Sequence, residues 1–219
     1  MIEYQIKIIK KNILDPYIYT VADNSSIPEK QVKILALCQA HGIAYIKLPY
    51  NHLRGSLSHG SSMNWVWKNY LKLRQPKYFG FIDHDIFPMC PLSIVSYLNK
   101  QNIYGRLQER NNKWYLWAGF CFFKFNYTKN KKINFLPKIN MDTGGGNYKS
   151  IYRYIDKNNL FFPDEKLKKI RGGNIHQSDY IEYIGNWIHT LNASNWMKID
   201  NQNEKEKIIA NILSNLIKK

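Results

Sequence analysis

The apolar positions of the first 90 residues alternate between strand-like runs and helical spacing. Residues 17–22 (YIYTVA) are apolar enough for a buried strand, and they stop at a polar loop, Asp23-Asn24-Ser25-Ser26. Pro28 stands where a first helical turn accepts it. Val32, Leu35 and Cys38 then recur at helical spacing toward His41, and Gly42 is a stop signal. Residues 43–48 (IAYIKL) read as a second strand. Residues 58–73 read as a second amphipathic helix, through Met63, Val66, Trp67, Tyr70 and Leu71. The run at 78–83 (YFGFID) is nearly all apolar, as a central strand covered on both faces would be. Strand–helix–strand–helix–strand predicts a mainly parallel sheet with helices on both faces. Ligands of such sheets bind outside the carboxyl ends of the strands, where Asp23 and Asp83 both fall.

The second half is less regular. Short strands are expected at 103–108 and 115–125, followed by a glycine-rich turn, Asp142-Thr143-Gly144-Gly145-Gly146. Short helices are expected near 147–158 and at 176–185, and a strand at 186–191. From Glu204 to Lys219 the pattern is an amphipathic helix whose apolar face is Ile208, Ile209, Ile212, Leu213, Leu216 and Ile217. Docking of that face onto the domain is the first reading, and lying on a membrane interface is the second. The expected organisation is one α/β domain over residues 1–219. A ligand-binding half spans about 1–100, a second half about 101–200, and the C-terminal helix is 203–219.

Composition narrows the class. With 44% apolar and 15% aromatic residues, the chain can fill a core and is not a disordered segment. Lys and Arg outnumber acids 32 to 16, and a net charge of +16 attracts polyanions: nucleic acid, an anionic membrane or a nucleoside diphosphate. The charge runs along the whole chain, with modest runs at Lys129–Lys132 and Lys166–Arg171. Cys38, Cys90 and Cys121 are isolated and odd in number, as in a reducing compartment, and no pair has metal-ligand spacing. No signal peptide and no 18-residue apolar run is read. Sequons occur at Asn24, Asn126 and Asn192, and glycans on two of them would obstruct the segments read as functional. The expected location is therefore cytoplasmic, with peripheral membrane contact as an addition.

The strongest chemical signal is Phe79-Gly80-Phe81-Ile82-Asp83-His84-Asp85-Ile86-Phe87-Pro88. A buried strand runs into two carboxylates one residue apart, and such acids need a cation or hydrogen-bond donors. Together they suit a hard divalent ion, Mn²⁺ or Mg²⁺, which also bridges to phosphate oxygens. The alternative is a loop whose acids cap a helix or pair with lysines.

This segment resembles the Asp-x-Asp motif of GT-A-fold glycosyltransferases, particularly the broad family-2 type. Asp23-Asn24 is similar to the strand-end acidic loop that contacts the nucleoside in that family. His59-Gly60-Ser61-Ser62-Met63-Asn64 resembles the helix start that lines its donor pocket. Trp117-Ala118-Gly119 is similar to a segment shaping the acceptor side. His189, in HTLNASNW with Trp196, resembles a C-terminal histidine that completes the metal site. The likeness covers roughly residues 17–197. Family-2 domains usually carry a further strand and helix before the Asp23 loop. Here that unit is either reduced, with Tyr4, Ile6 and Ile8 as a short strand, or absent, with Asp23 ending the first strand.

The resemblance implies an inverting transfer of sugar from a nucleotide-diphosphate sugar, UDP favoured, to a glycan or glycolipid hydroxyl. Donor contacts would come from Asp23, Asn24, His59, Asn64, Asp83, His84 and Asp85. Metal ligands would be Asp83, Asp85 and His189, with Asp85 the more direct. The acceptor hydroxyl needs a general base. Two acids compete: Asp142, whose following glycines allow close approach of a ligand, and Asp179, at the start of the predicted helix beside His176. Gly144, Gly145, Trp117, Gly119 and Trp196 are placed on the acceptor side, and Trp114 is a further ring for a sugar face. Arg171-Gly172-Gly173 is a basic loop without a Walker-type sequence. Competing classes are a sugar-nucleotide nucleotidyltransferase, a basic nucleic-acid-binding module and a GT-A domain that only binds. No nucleic-acid motif accompanies the charge. A low-GC bacterium and a large virus both fit the composition.

Overall fold

A computed structural model describes residues 1–170, 180–191 and 202–218. The chain is mixed α/β and forms two compact units that interleave along the sequence.

The smaller unit gathers Met1–Asp15, Asp83–Ile94 and Pro163–Lys219. Its elements are α1 (Ile2–Asn12), β4 (Ile86–Pro88), β7 (Glu165–Lys169), β8 (Tyr180–Ile184), β9 (Trp187–His189) and α7 (Gln202–Lys218). The strands form one antiparallel sheet in the order β4-β9-β8-β7. The strand considered through Tyr4, Ile6 and Ile8 is instead a helix. Gln5, Ile8, Ile9 and Asn12 are buried at helical spacing, Glu3 occupies the first turn, and Lys10 and Lys11 the last. The second half of the expected helix at 176–185 is the strand β8. Pairing with β7 and β9 makes Tyr180–Ile184 a strand with Ile181 and Ile184 on opposite faces, both buried, and the predicted helix is corrected there. The predicted C-terminal helix is α7, and its docking reading holds. Ile209 and Leu213 are buried with Ile8, Phe87, Ile181 and Ile188. Lys11 Nζ donates to the carbonyls of Leu216 and Ile217 at 3.2 and 2.8 Å, serving acceptors that the end of a helix leaves over.

The larger unit comprises Pro16–Ile82 and Val95–Phe162. It begins β1 (Thr20–Asp23), α2 (Pro28–Ala40), β2 (Ala44–Lys47), with β1 and β2 parallel from Thr20↔Ala44 to Asp23↔Lys47. Helix α3 (Gly55–Val66) continues through a π-helical turn, Trp67–Leu71, into α4 (Lys72–Arg74). Then come β3 (Tyr78–Ile82), α5 (Ile94–Lys100), β5 (Ile103–Arg110), β6 (Lys113–Lys124) and α6 (Phe125–Thr128). Strands β5 and β6 form a hairpin through Asn111 and Asn112, both at positive φ as a two-residue turn requires.

The mainly parallel sheet is a corrected expectation: among the described strands only β1 and β2 pair in parallel, and β3 lies antiparallel to β6. Periodicity identifies residues 78–82 as a covered strand but carries no information about its neighbour. The twelve-residue β6 supplies that neighbour, pairing with β5 along one edge and with β3 along the other. Its side chains and those of β3 build an aromatic core in which Phe79 stacks on Phe123 at 5.3 Å, with Trp67 and Phe125 around them. The helix expected near 147–158 is replaced by separate 3-10 turns at Gly145–Asn147, Tyr152–Tyr154 and Lys157–Asn159.

Candidate functional site

The acidic segment is a turn. Ile86 N–H donates to Asp83 O at 3.2 Å, which tightens the chain between β3 and β4. Gln5, buried on α1, donates through Nε2 to Asp83 O at 2.7 Å and to Ile86 O at 2.8 Å. One side chain therefore holds both ends of the turn. Asp83 is half-buried and His84 is exposed, while Asp85 is only 5% exposed.

Asp85 is fixed against β9. Ile86 is the register partner of His189, and Thr190 N–H donates to Asp85 O at 3.0 Å. This places His189 Nε2 3.6 Å from Asp85 Oδ2. On the other side of the ring, His189 Nδ1 lies 2.8 Å from Glu182 Oε2, across the β8–β9 pairing that sets Glu182 opposite His189. All three side chains are buried. Burial alone pushes the His189 pKa down. Hydrogen bonds and charge from Asp85 and Glu182 override it and raise the pKa to about 9. In the absence of other cations, the histidine is an imidazolium between two carboxylates.

The donor set suits a divalent ion at two positions. Two ligands at about 2.1 Å from one ion stand roughly 3.0–3.6 Å apart for bond angles of 90–120°, and the Asp85–His189 separation falls in that range. Glu182, accepting a hydrogen bond from Nδ1–H, would leave Nε2 as the ligating atom. The adjoining Thr190 Oγ1 is buried and has no hydrogen-bond partner among the described residues. No group of three His, Cys, Asp or Glu side chains placed to hold a metal occurs among those residues, so Asp83, Asp85 and His189 do not form a preassembled triad.

The remaining predicted residues fall in the larger unit, apart from Asp179 and Trp196, which lie outside the described residues, as do Arg171-Gly172-Gly173. Asp23 ends β1 and is buried. Its Oδ1 accepts from Ser25 N–H at 2.8 Å and its Oδ2 from Tyr45 OH at 3.0 Å, and burial with that bond pushes the Tyr45 phenol up to about 12. Asn24 is exposed beside it. His59 and Asn64 lie on α3 and are half-buried. Asn64 has both amide ends engaged, donating to Asn134 Oδ1 at 2.9 Å and accepting from Phe135 N–H at 2.8 Å. It tethers a loop.

Asp142 is oriented by three groups. Its Oδ1 accepts from Ser56 Oγ at 2.6 Å and Thr143 N–H at 2.7 Å, and its own N–H donates to Tyr115 OH at 2.9 Å. Oδ2 has no hydrogen bond among the described residues. The glycines after it are required by the protein's own backbone. Gly144 has φ +94°, and a Cβ there would lie 2.8 Å from Leu116 O; at Gly146 it would lie 2.5 Å from Asn134 O. Gly145 is closed off by Met141. The aromatic candidates also have protein partners: the Arg106 guanidinium lies over Trp117 at 5.2 Å, and Trp114 packs on Tyr152 at 5.2 Å. Gly119 is buried within β6.

Glu182 and Gln5 are the residues that sequence reasoning missed. Glu182 had one available signal, a lone acid within the apolar run Tyr180–Ile184. No family model, curated protein or solved structure matches this chain.

Proposed function

We propose that this chain is a metal-dependent glycosyltransferase of GT-A type, transferring a sugar from a nucleotide-diphosphate sugar, with UDP favoured, to a glycan or glycolipid hydroxyl. The observation that carries the reading is the buried Asp85 carboxylate. It ends an acidic turn and is faced at 3.6 Å by a histidine whose other ring nitrogen is held by Glu182. An acid, an imidazole and an acid that fixes the imidazole are the parts of a cation site with an oriented ligand.

In this reading Asp85 and His189 hold Mn²⁺ or Mg²⁺, and Asp83 and His84 line the same turn toward the donor. A divalent ion there supplies charge stabilisation to the departing diphosphate. Glu182 is a positioning residue: it holds Nδ1–H, so that His189 offers Nε2. The parallel β1–α2–β2 unit, with Asp23 and Asn24 at the carboxyl end of β1, is the element that takes the nucleoside. Asp142 acts as the general base. Ser56 and Thr143 fix one carboxylate oxygen, and the other is available to an acceptor hydroxyl. Asp179 remains the competing base.

Calorimetric titration of UDP and GDP with and without Mn²⁺ tests the reading. Nucleotide affinity should rise with Mn²⁺ and lose that rise in Asp85→Ala. Affinity indifferent to both the metal and Asp85 would overturn it. Asp142→Asn should keep donor binding and lose transfer, and full turnover in that variant would move the base to Asp179.

A further inference from the structure

The positive charge follows the division into units. The larger unit carries 20 Lys and Arg against 5 Asp and Glu, a net +15, and the smaller carries 12 against 11, a net +1. Residues 30–82 and 110–141 contain no acid at all.

Both stretches meet at one end of the β3–β6 sheet. Tyr78 is the register partner of Lys124, and Phe125 N–H donates to Lys77 O at 3.1 Å. Lys72 and Arg74 close the preceding helix there, and Lys129, Lys131 and Lys132 follow α6. None of these seven cations forms an ion pair among the described residues. Four of them lie against aromatic rings instead: Lys72 on Trp67 at 5.7 Å, Arg74 on Tyr70 at 4.5 Å, Lys77 on Tyr78 at 5.2 Å and Lys131 on Tyr127 at 4.5 Å. The helix dipole accounts for Lys72 and Arg74 at a helix end, but not for Lys77, Lys124 or Lys132. Between Lys72 and Arg74, Leu73 is 77% exposed.

We propose that this end of the larger unit docks on an anionic phospholipid bilayer. Charge complementarity selects a polyanion, and two features select a bilayer over a nucleic acid. Single-strand recognition needs free ring faces on which bases stack, and here cations already cover them. An unpartnered leucine among lysines and tyrosine phenols is what the headgroup–acyl boundary accepts. The inference does not depend on the transferase reading, since it uses none of the residues placed in that site.

Vesicle co-sedimentation of the full chain tests it, using phosphatidylcholine alone and phosphatidylcholine with phosphatidylglycerol. The protein should bind the anionic vesicles, release in high salt, and ignore the neutral ones. Combined Lys77→Glu, Lys129→Glu and Lys132→Glu should weaken partitioning on the order of 100-fold. Lys30→Glu, Lys33→Glu and Lys149→Glu make the same change in net charge on the same unit. Lys30 and Lys33 flank Gln31, whose side chain bonds Ser25 O beyond the other end of β1, and this set should lower partitioning only a few-fold. Leu73→Ser should lower it several-fold with no change of charge. Each variant is checked for an unchanged circular dichroism spectrum and melting temperature. Equal loss in both charge-reversed sets would overturn the proposal, as would equal binding to neutral vesicles. Tighter, salt-sensitive binding to duplex DNA that the first set abolishes would overturn it in favour of a nucleic-acid surface.

Discussion

In the smaller unit acids and bases are nearly balanced, and two acids, Asp85 and Glu182, are buried against one imidazolium. In the larger unit bases outnumber acids fourfold, and several cations rest on aromatic rings. The cores differ too: mainly isoleucine and leucine, with Phe87 and Trp187, in the smaller unit, and stacked aromatics in the larger. The long-range field and the buried ionic cluster thus arise in different parts of the molecule. Net charge is therefore a poor guide to where the candidate chemistry sits, and the two properties should respond to different mutations.

The largest effect should come from the aromatic core. Phe79→Ala removes the ring stacked on Phe123, and about 3–5 kcal/mol of stability should be lost, with no dependence on salt, when urea unfolding is followed. A loss under about 1 kcal/mol would mean the stack is not what holds the larger unit. Next, Glu182→Ala leaves His189 and Asp85 buried without their third member. A cost of about 3 kcal/mol is expected, since the charged His189 Nδ1–H loses its acceptor and stays buried without one. A neutral outcome would erase the contrast between the two units.

The pH dependence sharpens the same point. The folded His189 pKa, about 9, lies above the ordinary value of 6.5, so its contribution is complete below pH 6.5 and is lost as pH rises through 9. In chelator-treated protein roughly 2–3 kcal/mol should disappear across that window. His189→Gln should flatten the profile, and an unchanged slope in that variant would assign the titration elsewhere. The smallest effect is expected at Glu109, the exposed partner of Lys157 in the larger unit. Glu109→Ala should cost under about 1 kcal/mol and be masked by salt.

Much of this architecture could be read along the chain. Elements closed by local signals were legible: β1–α2–β2 with its Pro28 start, the strands β5 and β6, β9 and the amphipathic α7. Elements decided by partners were not. The isoleucines of α1 fit either period until the buried Gln5 and Asn12 fix the helical face. β8 reads as a helix until β7 and β9 flank it. At the site, the acids were visible because two carboxylates after an apolar run are chemically conspicuous. Glu182 was hidden because its role depends on a cross-strand register, and Gln5 because it binds backbone carbonyls that no sequence pattern reveals. The contacts that Asn64 and the Gly144–Gly146 run make with their own chain were hidden in the same way.

The assembly of the smaller unit from three separated stretches bears on the order in which the protein is made. Ile86 finds its partner His189 only about a hundred residues later, whereas the β5–β6 hairpin closes over two. Closing the longer loop costs more entropy, and contacts so remote in sequence form late. On the ribosome Asp85 must therefore wait, hydrated, while the larger unit can already begin to collapse around its hairpin. The acidic turn acquires its histidine only after about a hundred further residues are made, so a nascent chain carries the whole basic surface before it carries the buried ionic cluster.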